Sequence, residues 1–197
     1  MKAMILCGGM GTRTEKKYPG IPKALIPYKG KPILEHHLER LKMFDVFLNV
    51  RADEQRHFKK YGLPLLIETH PIGNAGAIKK FADDLGYRFL VIHNDVYHDI
   101  DYIAMTTMCQ GTMIMAAKDI AGDKEFGVIT KGEGGHIAGF TRRRLVNCGV
   151  YCMYHRINAY IEHGKFQDID KDLIPRLIRT GELYFYEHKG AWKDIGV

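Results

Sequence analysis

Ala3-Met4-Ile5-Leu6-Cys7 is an apolar run long enough for one buried strand and too short for a helix. It breaks at once into Gly8-Gly9-Met10-Gly11-Thr12-Arg13. No other junction in the chain limits the fold as strongly. A glycine loop at the carboxyl end of a strand can turn several backbone N–H groups toward one anion, with no Cβ in the ligand's way. Ten residues after Arg13 stands Lys23, in Pro22-Lys23-Ala24-Leu25-Ile26-Pro27. Backbone donors flanked by two fixed cations make a grip for a polyphosphate. Two familiar phosphate motifs do not fit it. Gly30-Lys31 is followed by Pro32 where the P-loop needs Ser or Thr, and Thr14 stands where the dinucleotide fingerprint needs its third glycine.

Strand and helix patterns alternate from this loop onward. Pro32 to Phe44 reads as a helix, with Pro32 suited to its first turn. Val46-Phe47-Leu48-Asn49-Val50 reads as a strand, Asp53 to Tyr61 as a polar helix stopped by Gly62, and Leu65-Leu66-Ile67-Glu68 as the next strand. A helix follows from Pro71-Ile72-Gly73-Asn74-Ala75-Gly76 to about Leu85, with Asn74 placed to cap it. Arg88-Phe89-Leu90-Val91-Ile92-His93 is a strand whose end carries Asn94-Asp95, and Asp99 and Asp101 suit a helix N-terminus. This alternation predicts an α/β fold with a doubly wound, mostly parallel sheet and helices on both faces. Right-handed crossovers would bring the loops after the first, third and fourth strands to one edge. Ligands bind at such an edge, so Asp95 is a candidate site residue.

The second half adds a strand at Gly111 to Ala117 and a β-hairpin around Gly132-Glu133-Gly134-Gly135. A further strand runs from Val146 to Tyr151, then a helix from Asp170 to Thr180.

Gly-Gly-x-Gly-Thr-Arg, eight residues, then Pro-Lys resembles the signature of the sugar-phosphate nucleotidyltransferases, with the spacing intact. The block Ile72-Gly73-Asn74-Ala75-Gly76-Ala77 is similar to the family's Leu-Gly-Thr-Ala-Gly-Ala, in the form carried by mannose- and heptose-phosphate guanylyltransferases. Val146-Asn147-Cys148-Gly149-Val150-Tyr151 resembles the strand that faces the sugar, and Trp192-Lys193-Asp194-Ile195-Gly196 the family's Trp-x-Asp-Ile-Gly ending. The resemblance runs from Met1 to Val197. It implies a Rossmann-like nucleotidyltransferase fold with the hairpin inserted near the sugar site.

The resemblance also implies site residues. Arg13 and Lys23 would be the catalytic cations, Arg13 on the departing phosphates and Lys23 on the α-phosphoryl and attacking oxygens. Leu6, Gly8, Gly9, Gly11, Thr12, Gly73, Asn74 and Gly76 would bind the nucleotide. Gly127 and Asn147 would border the sugar, and Asp95 with Asp194 would hold Mg2+. The reaction implied is transfer of a nucleoside monophosphate, with GTP as donor, to a mannose- or heptose-like sugar-1-phosphate. A phosphate monoester is already ionised at neutral pH, so no general base is required.

Two departures from the family pattern stand out. His93-Asn94-Asp95 replaces Asn-Gly-Asp, and Thr141-Arg142-Arg143-Arg144 follows Phe140 where the family carries Glu-Lys-Pro. Successive strand residues alternate faces, so Arg142 and Arg144 would point one way and Arg143 the other. An arginine aimed into the cleft can bind the acceptor's phosphate bidentately. Competing readings are a cytidylyltransferase, a molybdopterin guanylyltransferase-like enzyme, and a catalytically silent homologue that binds nucleotide to regulate a partner.

With 197 residues, 46% of them hydrophobic, the chain fits one domain, 1–197, with no C-terminal extension expected. The 29 Lys and Arg against 23 Asp and Glu suit anionic small substrates. They are too dispersed for a nucleic-acid surface, since Arg142-Arg143-Arg144 is the only dense cluster. No apolar run approaches the roughly 20 residues that span a bilayer. The N-terminus lacks signal-peptide architecture. Cys7, Cys109, Cys148 and Cys152 form no Cys-x-x-Cys pair and read as free thiols, with Cys148 and Cys152 on one strand face. A cytoplasmic protein is expected, with its oligomeric state left open.

Overall fold

The computed structural model describes residues 1–9, 18–119, 129–131, 137–140 and 145–196, with backbone alone for 129–131 and 138–140. Its elements run β1 (Lys2–Leu6), β2 (Pro27–Tyr28), β3 (Lys31–Pro32), α1 (Ile33–Arg40), β4 (Asp45–Arg51), β5 (Leu65–Glu68), α2 (Gly73–Leu85) and β6 (Arg88–His93). They continue with β7 (Val96–His98), α3 (Tyr102–Thr107), β8 (Met113–Asp119), β9 (Ile129–Lys131), β10 (Ile137–Phe140), β11 (Leu145–Tyr154), α4 (Ile174–Thr180), β12 (Leu183–Glu187) and β13 (Trp192–Asp194).

Seven strands form one sheet in the order β12-β8-β11-β6-β1-β4-β5. Every neighbouring pair is parallel except those made by β11, which runs antiparallel to both β6 and β8. The expected doubly wound, mostly parallel sheet is therefore present. It is covered on both faces because the strands are apolar at nearly every position and alternate residues point opposite ways. Met4, Phe89, Val91, Met113, Met115 and Tyr151 pack with residues of α2 and α4. Ala3, Ile5, Leu48, Val50, Leu90, Ile92, Cys148 and Cys152 pack on the other face with residues of α1 and α3. The last two confirm that Cys148 and Cys152 share a face. The antiparallel pair β9–β10 is the expected hairpin.

Three local expectations are corrected. The stretch from Asp53 to Tyr61 is two short 3₁₀ turns, Gln55–His57 and Lys59–Tyr61, and Gly62 ends the second in a left-handed conformation. The helix read from Asp170 begins as a wide π turn, Ile169–Leu173, and α4 proper starts at Ile174 with Pro175 in its first turn. Asn74 does not cap α2, whose flanking residue is Ile72. The Asn74 side-chain oxygen accepts instead from the backbone N–H groups of Ala75, at 2.8 Å, and Ile169, at 2.6 Å. Asp101 does cap α3, accepting from the Ala104 N–H at 2.9 Å. No helix among the described residues is long and apolar enough to cross a membrane.

Candidate active site

The parallel strands deliver their loops to one edge. The loop after β1 brings Gly8 and Gly9, the segment after β5 brings Pro71, Gly73 and Asn74, and the end of β6 brings His93, Asn94 and Asp95. Together with Leu6, Lys23, Asn49, Glu68, Phe166 and Asp168 they line a cavity of about 420 Å³. A second cavity of about 600 Å³ adjoins it, lined by Val96, Asn147, Gly149, Tyr151, Asp170, Lys171, Trp192 and Asp194 among others. Asn74, His93, Asp95 and Asp168 belong to both, so the two are lobes of one cleft with Asp95 at the joint.

Lys23 reaches that joint from a 3₁₀ turn that starts at Lys23 itself, just after Pro22. Its ammonium forms an ion pair with Asp95 Oδ2. Burial pushes the Asp95 carboxyl up, but the His93 and Lys23 charges and the Lys23 hydrogen bond outweigh it. The net effect holds Asp95 below the usual carboxylate range. Asp194 is carried to the same lobe by a small antiparallel ladder in which β13 pairs with β7, Asp194 opposite Val96. The Ile195 N–H then donates to the Asp95 carbonyl at 2.7 Å, and Asp194 Oδ1 accepts from the Gly196 N–H at 2.7 Å. A side chain at Gly196 would overlap the Lys23 ammonium, so this turn is closed against the ion pair.

The first lobe has an acidic floor. Glu68 is buried at the end of β5, hydrogen-bonded to Asn49, and burial raises its pKa. A Cβ at Gly8 would lie 3.0 Å from Glu68 Oε1 and 3.2 Å from Asn49 Oδ1, so the glycine loop starts directly against this pair. The rim opposite is built by a clip between Ile72 and Gln167. The Gln167 N–H donates to the Ile72 carbonyl at 3.0 Å, and the Gln167 carbonyl accepts from the N–H groups of Ala75 and Gly76 at 3.0 and 3.3 Å. That carbonyl satisfies the Gly76 donor at the start of α2 and shares the Ala75 donor with the Asn74 side chain. It also explains Gly73, whose φ is +76° and whose Cβ, if present, would overlap the Gln167 carbonyl.

In the second lobe a register shift in β11 between Asn147 and Tyr151 turns Asn147 inward. Its Nδ2 donates to Asp170 Oδ1 at 2.8 Å and to the Tyr151 hydroxyl at 2.7 Å. Burial and the neighbouring Asp168 charge raise the Asp170 pKa. The His93 ring lies 5.7 Å from that of Tyr151, and its buried Nε2 has no hydrogen-bond partner among the described residues.

Leu6, Gly8, Gly9, Lys23, Gly73, Asn74 and Asp95 thus line the first lobe, and Asn147, Asp95 and Asp194 the second. Gly76 lies inside α2, buried against Ile72 and the Lys165 carbonyl, and lines neither. Gly11, Thr12, Arg13, Gly127, Arg142 and Arg144 lie outside the described residues. Sequence reasoning passed over Glu68, Asn49, His93, Asp168 and Asp170. Glu68 stands at a parallel strand's carboxyl end, the same signal that singled out Asp95. Cys7 packs in the core beneath the glycine loop, where burial pushes its thiol pKa up.

The parallel sheet edge, the two-lobed cleft and the Lys23–Asp95 pair define an α/β domain with a polar ligand cleft at the carboxyl ends of its strands. A family model described as the MobA-like NTP transferase domain matches residues 3–104, and the chain belongs to that family. The catalytic subunit beta of mannose-1-phosphate guanylyltransferase from Danio rerio is 30% identical over 229 residues, covering 100% of this chain and 61% of that protein. The bifunctional protein GlmU of Methanocaldococcus jannaschii is 26% identical over 215 residues, covering 100% and 51%. The chain thus spans only about half to three-fifths of these relatives. The crystal structure of HddC from Yersinia pseudotuberculosis complexed with GMP-PN superposes with a TM-score of 0.83 at 22% identity, covering 100% of this chain and 94% of that one. The inositol-1-phosphate CTP transferase of T. maritima gives a TM-score of 0.83 at 13% identity, covering 99% and 89%. Both share the fold.

Proposed function

We propose that this chain is a sugar-1-phosphate nucleotidyltransferase. It transfers a nucleoside monophosphate from a triphosphate to a sugar-1-phosphate and releases pyrophosphate. The observation that carries the reading is the Lys23–Asp95 pair at the joint of two adjoining lobes. One lobe takes the nucleotide and the other the acceptor, which puts the acceptor's phosphate beside the α-phosphorus. An oxygen of that phosphate forms the new P–O bond as the bond to pyrophosphate breaks. Lys23 offsets the charge that builds on the phosphoryl oxygens, and the lobes hold donor and acceptor in line.

Asp95 and Asp194 are hard oxygen donors facing one lobe, and the lowered pKa of Asp95 keeps it ionised. Among the described residues no cluster of three or more His, Cys, Asp or Glu could hold a metal unaided. This donor set suits magnesium, which keeps waters and takes further ligands from phosphate. Mg2+ held there would supply charge neutralisation at the phosphate oxygens.

GTP is the proposed donor. Guanine presents two donors side by side, N1–H and the 2-amino group, and the buried Glu68 carboxylate is acceptor-only when ionised. Phe166, 63% exposed at the rim, offers a ring face to a base. The names of the guanylyltransferase relatives support the same base and a mannose-like acceptor. Four buried free thiols support a reducing, cytoplasmic setting.

The test is a matrix of nucleoside triphosphates against sugar-1-phosphates, with and without Mg2+, read by pyrophosphate release. The expected optimum is GTP with a mannose- or heptose-like acceptor. Glu68→Gln should cut kcat/KM for GTP about 5-fold to 150-fold, the usual cost of leaving a buried polar group mispaired, and spare inosine triphosphate more, because it lacks the 2-amino group. No pyrophosphate release with any pair would refute the activity; a pyrimidine optimum would refute the base.

A further inference from the structure

Two of the four cysteines, 43 positions apart in sequence, meet on the side of the sheet away from the cleft. Cys109 follows α3, where its N–H donates to the Thr106 carbonyl at 3.2 Å and its carbonyl accepts from the Tyr154 hydroxyl at 3.3 Å. Cys152 sits within β11, opposite Leu90 of β6, well back from the strand end that carries Asp95. The Cys109 thiol donates to the Cys152 carbonyl at 3.5 Å. A surface cavity of about 230 Å³ opens on Cys109 between Tyr87, Gln110, Gly111, Tyr154 and Arg156. Cys109 is 8% exposed, whereas Cys152 and Cys148 are fully covered and Cys7 is 2% exposed.

We propose that Cys109 and Cys152 form an oxidant-modified dithiol, in which Cys109 is the sulfur that a hydroperoxide attacks and Cys152 the thiol that resolves it. The chemistry closes in two steps. The Cys109 thiolate takes the terminal oxygen of the hydroperoxide: an S–O bond forms, the O–O bond breaks, and the alcohol or water leaves with a proton. The Cys152 sulfur then attacks the Cys109 sulfenic acid: the S–S bond forms, the S–O bond breaks, and the hydroxyl leaves as water with the Cys152 proton. Two thiols and one hydroperoxide become one disulfide, one alcohol and one water.

The surroundings divide the roles. The hydrogen bond from Cys152, the Ile114 backbone and the Arg88 and Arg156 guanidiniums hold the Cys109 thiol below its ordinary value, against the opposing effect of burial. Cys152 is pushed up by the same hydrogen bond and by burial, so it keeps its proton until the sulfenic acid forms. Burial pushes Cys7 up, and Cys148 up to about 12. Those two thiols are built-in controls.

The test exposes the folded protein to hydrogen peroxide and maps its cysteines by mass spectrometry. Wild type should lose two titratable thiols together and yield one cross-linked peptide joining Cys109 to Cys152. Its denaturant midpoint should rise and return on adding dithiothreitol. Cys152→Ser should accumulate a sulfenic acid at Cys109 that dimedone traps, and Cys109→Ser should leave the remaining three cysteines unmodified. Should either variant fail to fold, wild-type mapping decides alone. Absence of the cross-link, or modification of Cys7 or Cys148 at a rate equal to that of Cys109, overturns the proposal.

Discussion

Acid should destabilise this protein through a buried histidine pair. His37 of α1 and His98 of β7 face each other with ring centroids 5.3 Å apart, and both are 2% exposed. His37 Nε2 and His98 Nδ1 are buried without a hydrogen-bond partner among the described residues. Burial drives the His37 pKa down from 6.5 to about 4; the Asp95 charge and the Asn94 backbone oppose it, and His36 and Arg40 reinforce it. Burial, then His37, Arg40 and His188, pushes His98 down as well. In the unfolded chain both would take a proton near pH 6.5. The unfolded state therefore binds more protons between about pH 6.5 and 4, and stability present at pH 7 is lost as pH falls through that window.

For His37 alone the shift is worth about 3 kcal/mol in full, of which about 2 kcal/mol is lost between pH 7 and 5. That corresponds to a fall of about 5 °C in Tm for a chain of this size. The assay is urea unfolding at half-unit pH steps for the parent and for His37→Phe. Burial raises the pKa of Glu68 and Asp170, which adds stability as pH falls. Comparing the two proteins cancels that contribution. The parent should lose about 2 kcal/mol more than the variant between pH 7 and 5. Equal slopes would show that His37 takes up its proton over the same pH range folded and unfolded, and that the burial argument is wrong.

Lys23→Ala should lower kcat about 10²–10³-fold, the usual loss of one preorganised charge stabiliser, while leaving the fold intact; steady-state kinetics and circular dichroism check both. Gly73→Ala should destabilise by about 2 kcal/mol or more, because the residue must hold φ at +76° and its Cβ would overlap the Gln167 carbonyl. Urea midpoints measure it, and a change below about 0.5 kcal/mol would mean that the clip yields.

The sheet was legible because parallel strands buried on both faces are written as unbroken apolar runs between glycine and proline breaks. Lys2–Leu6, Leu65–Glu68 and Arg88–His93 each fall within about a residue of their reading. The local failures share a cause. Asn74 has the side chain of a helix cap, yet Ile169, 95 residues away in sequence, offers it a second N–H that a cap could not reach. Only tertiary structure makes that partner visible. Glu68 and His93 were read as strand ends and no more, because what marks them is their neighbours: Asn49 beside one, Tyr151 and Asp95 beside the other. Lys23 was read from its distance to the glycine loop, Asp95 from its strand end and Asp194 from the resemblance of Trp192-Lys193-Asp194-Ile195-Gly196, all of them local cues. The walls around them are not local.

The β7–β13 ladder fixes an order of events during synthesis. Asp95 and Asp194 are 99 residues apart (194 − 95), so a ribosome adding about 5–20 residues per second needs about 5–20 s between them. When Asp95 emerges, the strands β1, β4, β5 and β6 already exist, and with them most of the first lobe. Asn147, Asp170, Trp192 and Asp194, which shape the second lobe, are made only afterwards. A growing chain therefore has the walls of its first lobe many seconds before those of its second. Closure of the second lobe waits for Asp194.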